Sequence, residues 1–314
     1  MLVNHVMSSD TPSSIFDALI KYYSDISTDI EHVTTTVPVE EACIYHYHRP
    51  HLEKNLKSNS IVTVHHDLSD DDPWLDFNAF LDRYREAKTV ICLNTNQSKI
   101  LSKHGVNNTV VIPHGYQEKL FKKTIKTART TFNIGIISKR YGRKVKGEAY
   151  LLELLKRIDT ESIRFVLVGE NRQQSYMRMK QMNIEANYYE RLPYNLFGSL
   201  YEELDALLML SHHEGGPANI PEAVASGTPV IGFNIGMVSD LIVDGKNGRI
   251  LTGDLEQDAL IINDLFSKTK GIRELIQNSY NFNSPSCITW KACAEKNISE
   301  YRKIVGSSSK EDLT

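Results

Sequence analysis

The chain alternates short apolar runs with segments of helical periodicity, and this alternation narrows the folds that it can adopt. Five apolar runs of strand length lie in the first half, at residues 2–6, 43–45, 61–64, 89–93 and 110–112. Helices are predicted after Thr11-Pro12-Ser13-Ser14 and from Asp72-Pro73, where proline can occupy the first helical position. Strands that alternate with helices are typical of a parallel sheet. We therefore predict a doubly wound α/β domain over residues 1–116.

The second half repeats this plan. Apolar runs at residues 134–137, 165–168, 206–210 and 229–232 indicate strands, and leucines at helical spacing over residues 150–158 indicate a helix. The polar, lysine-rich residues 117–129 indicate a linker at the start of a second doubly wound domain, predicted over residues 117–284. Ligands of such sheets bind beyond the carboxyl ends of the strands, so we expect the site in a cleft between the two domains.

The length and charge of the chain are those of an ordinary globular protein, and its modestly basic second half fits a small anionic ligand. The 314 residues suffice for two domains that each bury a core. Net charge is −3, but residues 1–113 carry 9 Lys and Arg against 15 Asp and Glu, and the remainder carries 27 against 24. A nucleic acid would need clustered basic and aromatic residues along one face. We therefore expect no nucleic-acid partner.

The sequence lacks the patterns of export and of metal-binding cysteine pairs. No run of about 18 apolar residues occurs, and the N-terminus has no basic region followed by a hydrophobic stretch. The four cysteines are scattered without close pairs. We expect a cytoplasmic protein. The cluster of Lys119, Lys122, Lys123, Lys126 and Arg129 leaves peripheral contact with the inner face of the cell membrane as an alternative, and the oligomeric state is open.

Two glutamates flank a Gly-Gly turn between two strands predicted in the second half. Glu214 precedes Gly215 and Gly216, and Glu222 lies in the early turns of a short predicted helix. The glycines let the backbone approach a ligand, and the free N–H groups of a helix start favour phosphate. Carboxylates accept hydrogen bonds from sugar and ribose hydroxyls. The spacing alone also fits an exposed loop in which Glu222 complements the helix terminus.

A basic loop over residues 138–147 follows the strand predicted at residues 134–137. It contains Arg140, Arg143, Lys144, Lys146 and Gly147, and it precedes a helical pattern. Cations and glycines at the end of a strand suit an anion, although a basic loop without a ligand has the same composition. The loop is therefore a second candidate for phosphate binding.

The motif around Glu214 resembles the signature of the family 4 retaining glycosyltransferases of GT-B fold. The matching residues are Glu214, Gly215, Gly216, Glu222, Ala223, Gly227, Thr228, Pro229, Val230 and Ile231. Residues 240–242, 244–248 and 290–304 are similar to the family's next segment, turn and closing helix. The resemblance implies two Rossmann-like α/β domains whose parallel sheets face across a cleft. It also implies a shortened acceptor-side domain over residues 1–116, a nucleotide-sugar donor side over 117–284, and a helix over 285–314 that packs back on the first domain before a polar tail.

The resemblance also implies roles for named residues. Arg140 and Lys146, six apart, would hold the donor diphosphate, with Arg143 and Lys144 as alternatives. Glu214 would bind donor sugar hydroxyls and Glu222 the ribose diol. Backbone groups would assist Glu214, and they belong to Gly215, Gly216, Pro217 and Ala218.

The nucleotide base and the first-domain contact follow from the same resemblance. The base would lie near Arg191 and Leu192, although a glycine is commoner in the family where this chain has Arg191. Either His65 or His66 would reach the donor sugar. Cations at the diphosphate would stabilise its growing negative charge, so we expect no metal and no cofactor, with the nucleoside-diphosphate sugar as the donor substrate.

Two patterns in the first half could suggest a metal site, but their context or spacing argues against it. Asp70-Asp71-Asp72 contains the aspartate pair of manganese-dependent glycosyltransferases, but its place before Pro73 favours helix capping. A metal site is disfavoured because no spacing would fix ligands on one face among His65, His66, His46, His48 and His51.

The resulting hypothesis is a metal-independent retaining glycosyltransferase, hexosyltransferase-like, in surface polysaccharide or glycoconjugate synthesis. It would move a sugar from a nucleotide sugar to a hydroxyl of a glycan, glycolipid or small molecule. The alternatives are a sugar-nucleotide epimerase of the same fold and a non-catalytic scaffold that binds sugar nucleotides.

Overall fold

Short runs rich in valine and isoleucine form parallel strands, and amphipathic segments between them form helices. The strands are β1 (Leu2–Val6), β2 (Glu31–Thr35), β3 (Ile44–Tyr47), β4 (Ser60–Val64), β5 (Thr89–Cys92), β6 (Thr109–Val111), β7 (Phe132–Ile137), β8 (Ile163–Val168), β9 (Glu185–Tyr189), β10 (Ala206–Met209), β11 (Val230–Phe233) and β12 (Gly248–Leu251). The helices are α1 (Ser14–Ile26), α2 (Phe77–Glu86), α3 (Thr95–Lys103), α4 (Glu148–Leu155), α5 (Gln173–Gln181), α6 (Phe197–Glu203), α7 (Asn219–Ala225), α8 (Val238–Leu241), α9 (Leu255–Ser267), α10 (Lys270–Asn281) and α11 (Trp290–Glu311).

The chain divides into two compact units. The first unit consists of Met1–Gly115 together with Ile288–Thr314, and the second unit consists of Tyr116–Cys287. The computed structural model describes residues 1–7, 14–126, 129–142, 145–267 and 270–311. The helix start predicted at residues 11–13 lies outside the described residues, and α1 is described from Ser14.

The first unit is built on a six-stranded parallel sheet in the order β2-β1-β3-β4-β5-β6. Side chains alternate between its two faces, so Ile44 and Tyr45 belong to different parts of the core. One face packs against α1 and α11, where Tyr23 and Tyr301 are fully buried. The other face packs against α2 and α3 around Phe80. The C-terminal helix therefore contributes to the core of this unit.

The second unit has a second six-stranded parallel sheet, in the order β12-β11-β10-β7-β8-β9. One face packs around Phe132, Ile134 and Phe165 against α4, α9 and α10. The other face packs around Leu207 and Met209 against α6, α7 and α8. The prediction of two doubly wound α/β sheets is confirmed.

Some predicted boundaries are wrong. The sequence did not indicate β2, β9 or β12, and all three are edge strands. The helix predicted from Asp72-Pro73 is a single 3-10 turn over Pro73–Leu75, and α2 begins only at Phe77. Each start has its own aspartate, because Asp72 accepts a hydrogen bond from the Trp74 N–H (2.9 Å) and Asp76 accepts one from Asn78 (3.2 Å). The capping role predicted in the aspartate run is thus confirmed for Asp72.

Three cations of the lysine-rich segment have partners inside the second unit. Lys123 Nζ donates to Asn283 Oδ1 (2.9 Å), Lys126 Nζ donates to backbone carbonyls at the end of α6, and Arg129 lies 2.9 Å from a carboxylate oxygen of Glu203. These three side chains are therefore held by partners within the unit and do not all project freely into solvent. Within the described residues, no helix is both long enough and apolar enough to cross a bilayer.

Candidate active site

The strand order of the second sheet reverses between β7 and β10. The chain starts at β7, continues outward through β8 and β9, and then returns to place β10 on the other side of β7. Connections after β7 and β10 therefore leave in opposite directions, which opens a crevice at the carboxyl ends of these two strands. The loop after β7 carries Arg140 and Lys146, and the loop after β10 carries Glu214.

Three contacts hold these two loops together. The backbone N–H of His212 donates to the carbonyl of Val145 (2.8 Å). Gly147 has a φ of 74°, and a Cβ at this position would lie 1.9 Å from the carbonyl oxygen of Leu210. Only glycine fits this combination of a left-handed backbone and close approach. The third contact joins the side chains of Lys146 and Glu214.

Lys146 and Glu214 form a largely buried ion pair. Their side chains are 14% and 12% exposed, and the ammonium also lies 5.6 Å from the centre of the Tyr141 ring. Restricted access to water strengthens the attraction of both groups for a charged or polar ligand. The structure therefore brings together the residue predicted to hold the diphosphate and the residue predicted to hold the sugar.

Arg140 lies on the same loop but has a different neighbour. Its backbone N–H donates to the carbonyl of Glu170 (2.9 Å), and its guanidinium donates to the side chain of Gln174 on α5. The Nε–H of this guanidinium is buried and has no hydrogen-bond partner in the part of the chain that the structure describes. A buried N–H of this kind favours an anionic acceptor. Arg143 and Lys144, the alternative candidates, lie outside the described residues.

Arg172 was not predicted, and it is the most completely buried of the cations near these loops that the structure describes. It is 1% exposed, and its Nε donates to the carbonyl of Ser138 (2.7 Å) while one terminal nitrogen lies 3.8 Å from a carboxylate oxygen of Glu148. It lines a narrow recess with Ser138, Lys146, Ser211 and Asn219. Its place after β8, on the same sheet edge as the other loops, was the signal available in the sequence.

Glu222 is a buried carboxyl group on α7. It is 5% exposed, and burial raises its pKa to about 7. Two hydroxyls donate to it, that of Tyr194 to Oε1 (2.8 Å) and that of Tyr201 to Oε2 (3.3 Å). A carboxylate has about four lone-pair sites, so it can accept further hydrogen bonds from a ligand. The two tyrosines were not predicted as neighbours of the site.

Residues 211–218 link β10 to α7 and include the predicted backbone contacts. Gly215 is buried, and Gly216, Pro217 and Ala218 are partly buried. Gly236, after β11, packs against this loop so closely that a Cβ would lie 2.9 Å from the carbonyl oxygen of Glu214. Helix α7 begins at Asn219, and Pro221 lies in its first turn, where no intrahelical N–H donor is needed.

Arg191 and Leu192 lie after β9, on the same edge of the sheet. The Arg191 side chain is 83% exposed and donates to Glu170 (3.2 Å), whose other carboxylate oxygen is 2.6 Å from Lys139 Nζ. Leu192 is partly buried against the core. The residue predicted near the base is therefore a surface arginine in a network of exposed charges.

His65 and His66 follow β4 in the first unit and have different surroundings. His65 Nε2 lies 3.0 Å from His48 Nδ1. The His66 ring packs 4.3 Å from that of Phe80, and burial lowers its pKa to about 4. The two adjacent side chains thus contact different neighbours, His65 the ring of His48 and His66 the ring of Phe80.

The second unit matches a family of known proteins. A family model described as glycosyl transferases group 1 matches residues 117–282, which is more than half of the chain. The chain is also 26% identical over 143 residues to an uncharacterized 41.2 kDa protein in the cps region of Klebsiella pneumoniae. That alignment covers 44% of this chain and only 39% of the Klebsiella protein.

Several solved structures share the fold of the whole chain. Sucrose-phosphate synthase of Thermosynechococcus elongatus aligns with a TM-score of 0.77 at 14% identity, over 98% of this chain and 99% of its own. HepE of Anabaena, solved with UDP and glucose, aligns with a TM-score of 0.67 at 16% identity, over 99% and 100%. WaaG, a glycosyltransferase involved in lipopolysaccharide biosynthesis, aligns with a TM-score of 0.71 at 11% identity, over 95% and 98%. The predicted GT-B fold class, with its two parallel α/β sheets, is thereby confirmed.

Proposed function

This chain belongs to the glycosyl transferases group 1 family, and from that premise we propose that it is a metal-independent, retaining glycosyltransferase. It moves a hexose or related sugar from a nucleoside diphosphate to a hydroxyl acceptor. The observation that carries the proposal is the contact between Lys146 and Glu214 where the strand order reverses. A cation and a carboxylate side by side suit the two parts of the donor, which are phosphate and sugar hydroxyls.

The proposed chemistry uses these residues at the bond that breaks. The acceptor oxygen forms a bond to the anomeric carbon on the face from which the diphosphate leaves, and the acceptor proton passes to the departing phosphate. Negative charge grows on that phosphate as its bond to the sugar breaks, and Lys146 and Arg140 stabilise it. Two cations at this place make a divalent metal unnecessary. Glu214 orients the sugar through its hydroxyls, and Glu222 accepts hydrogen bonds from the ribose.

The biological setting that we propose is surface polysaccharide or glycoconjugate synthesis in the cytoplasm. The Klebsiella relative is described as a protein of the cps region, and WaaG is described as acting in lipopolysaccharide biosynthesis. HepE was solved with UDP and glucose. These relatives make UDP-glucose the first donor to test and a glycan or glycolipid hydroxyl the first acceptor.

Donor binding is the first test. Thermal unfolding is measured with UDP, GDP and ADP sugars, each with excess EDTA and again with added Mg²⁺ or Mn²⁺. A donor present at 100 times its Kd should stabilise the folded chain by about 2.7 kcal/mol. The expected result is stabilisation by one nucleotide series, unchanged by EDTA. Stabilisation that requires the metal would contradict the metal-independent part of the proposal.

Product analysis separates this function from its rivals. With donor and acceptor together, NMR of the product should show the same anomeric configuration as the donor. Release of nucleoside diphosphate from the donor alone, with a changed sugar epimer, would instead indicate an epimerase. Binding without any turnover of the donor over hours would indicate a scaffold.

A further inference from the structure

Four histidines form a hydrogen-bonded row across one face of the first sheet. The row runs from His32 on β2 through His5 on β1 and His48 after β3 to His65 after β4. His5 Nε2 lies 3.1 Å from His32 Nδ1, and His5 Nδ1 lies 3.2 Å from His48 Nε2. His48 Nδ1 then lies 3.0 Å from His65 Nε2. We call these four residues the histidine row.

The surroundings of the row keep its imidazoles neutral. His5 and His48 are buried, and burial lowers the pKa of His5 well below its ordinary value and that of His48 to about 3. The positive charge of the neighbouring Arg49 lowers the pKa of His48 further. The neighbouring ring of Tyr23 stacks on His5 at 5.5 Å and offers no negative charge. On α11, the ring of Tyr301 lies 6.4 Å from that of His32, and its hydroxyl lies 2.7 Å from His46 Nδ1.

Neutrality makes the row directional. A neutral imidazole has one N–H and one lone pair, so each hydrogen bond between two rings fixes the proton on the next ring. Only two arrangements satisfy all three contacts. Either every ring carries its proton on Nδ1, or every ring carries it on Nε2.

His32, at one end of the row, shows which of the two proton arrangements is present. His32 Nε2 is buried and has no hydrogen-bond partner among the residues that the structure describes. A buried N–H without an acceptor is rarer in proteins than a buried acceptor without a donor. His32 Nε2 is therefore the unprotonated nitrogen, and its proton lies on Nδ1, directed to His5.

We infer that His32, His5 and His48 are positioning residues that hold His65 as a neutral imidazole with its proton on Nδ1. His65 is thereby a hydrogen-bond donor at the carboxyl end of β4, suited to an oxygen acceptor such as a hydroxyl group. Its use at a donor sugar rests on the proposed function, whereas the tautomer itself does not.

A metal site is the rival explanation for this group of histidines. Ring nitrogens of His5, His46 and His48 lie within 4.8 Å of one another. Both nitrogens of His46, however, already have partners at 2.7 Å, the Tyr301 hydroxyl and Thr63 Oγ1. The His46 ring also stacks on His48 at 4.3 Å, so the two rings meet by their faces rather than by their lone pairs. These contacts favour the hydrogen-bonded row.

The test is ¹⁵N NMR of the histidine side chains in the full chain without nucleotide. At pH 7 the expected result is protonated Nδ1 and unprotonated Nε2 for His5, His48 and His65, with scalar coupling across the N–H···N contacts. Protons on Nε2, an imidazolium in the row, or zinc bound stoichiometrically with loss of these couplings would each overturn the inference. These readouts need no activity, so they fail or stand separately from the proposed function.

A substitution within the row tests whether the row sets the tautomer of His65. His48→Phe keeps the stacked ring but removes both nitrogens, and His65 should then lose its single tautomer. The control is His104→Phe, the same change at an exposed histidine at the end of α3. A His65 tautomer that is unchanged in His48→Phe would show that the row does not set it. If that variant does not fold, the wild-type spectra still decide.

Discussion

Lys146 meets the carboxylate of Glu214 on one side and the ring of Tyr141 on the other. If it binds the diphosphate, Lys146→Ala removes a cation that acts in both the bound state and the transition state. We expect turnover to fall by about 10²-fold or more and nucleoside-diphosphate affinity to fall with it. Calorimetric titration of nucleoside diphosphate and steady-state kinetics measure the two effects.

The control for this prediction is Lys139→Ala. Lys139 lies on the same loop, but its side chain is 48% exposed and pairs with Glu170 at the surface. It should retain affinity and turnover close to those of the wild type. Wild-type diphosphate affinity in Lys146→Ala would mean that the phosphate lies elsewhere.

The raised pKa of Glu222 gives ligand binding a pH dependence. Burial raises this pKa to about 7, and the ionised carboxylate is purely an acceptor, whereas the protonated group has an O–H donor and fewer lone pairs to offer the ribose. Affinity for nucleoside diphosphate should therefore rise as the pH increases from about 6 to about 8. Glu222→Gln should bind more weakly and lose this rise. The measurement is calorimetric titration at several pH values with the ribonucleotide and its 2′-deoxy analogue.

The raised pKa of Glu222 affects stability in the opposite direction to ligand binding. A carboxyl group whose folded pKa lies above its unfolded value binds more protons when folded, so its contribution to stability falls as the pH rises from about 4.5 to about 7. Binding and stability therefore favour different ends of this pH range. A flat affinity profile in the wild-type chain would show that Glu222 does not contact the ribose.

Residues of the candidate site were predicted from the sequence only where they stand in a local pattern. Glu214 and Glu222 belong to one continuous motif, and Arg140 and Lys146 share one loop. Arg172, Tyr194 and Tyr201 were not predicted, because each reaches the site from a different loop or helix. Their contacts depend on which strands are neighbours in the sheet, and spacing along the chain does not carry that information.

At the scale of elements, the turn before α4 depends on a single glycine. Gly147→Ala would place a Cβ against the carbonyl of Leu210 in a left-handed backbone conformation. We expect it to destabilise the chain by more than about 1 kcal/mol and to weaken phosphate binding, because the two loops must separate. Urea denaturation and nucleotide titration measure these effects.

A matched glycine on the same loop provides the control. A Cβ added at Gly142 would meet no atom within 4 Å, and its φ is not in the left-handed region. Gly142→Ala should therefore leave both stability and binding close to the wild-type values. Equal effects of the two substitutions would mean that the contact with Leu210 does not hold the loops together.

The three strands that the sequence did not indicate are all edge strands, although the edge strand β6 was predicted from its apolar run at residues 110–112. Central strands such as β4 and β10 are buried throughout, and their apolar runs predicted them. The edge strands β2 and β9 contain exposed residues, and all three unpredicted strands contain polar or charged ones, as in Glu31-His32-Val33-Thr34-Thr35 of β2. An edge strand has only one neighbour and less contact with the helices, so its sequence needs no continuous apolar run. Its identity as a strand follows from the sheet that it joins.

At the scale of the whole molecule, the neutral histidines make the first unit sensitive to acid. Burial lowers the pKa of His5, His46 and His48 below the value of an unfolded histidine, and Arg49 adds a positive charge nearby. The unfolded chain thus binds more protons below pH about 6.5, and stability falls as the pH decreases from there. Each of the three histidines can cost about 1.4 kcal/mol per pH unit until its folded pKa is reached.

Two tryptophans allow this loss to be measured in the first unit. The chain contains 2 tryptophans, Trp74 and Trp290, and both lie in that unit. The urea midpoint from their fluorescence should be lower at pH 5.0 than at pH 7.5. His46→Gln should reduce this difference, while His104→Gln, at an exposed position, should not. Equal midpoints at the two pH values in the wild-type chain would contradict the neutral state of these rings.

Helix α11 completes the core of the unit that begins at residue 1. Trp290, Cys293, Ala294 and Ile298 cover the apolar face formed by β1, β3 and β4, although the whole second unit lies between them along the chain. During synthesis on the ribosome, the part of that face that α11 covers must therefore stay exposed while about half of the chain is still being made. The second unit can finish folding first, and the first unit closes only when the last helix emerges.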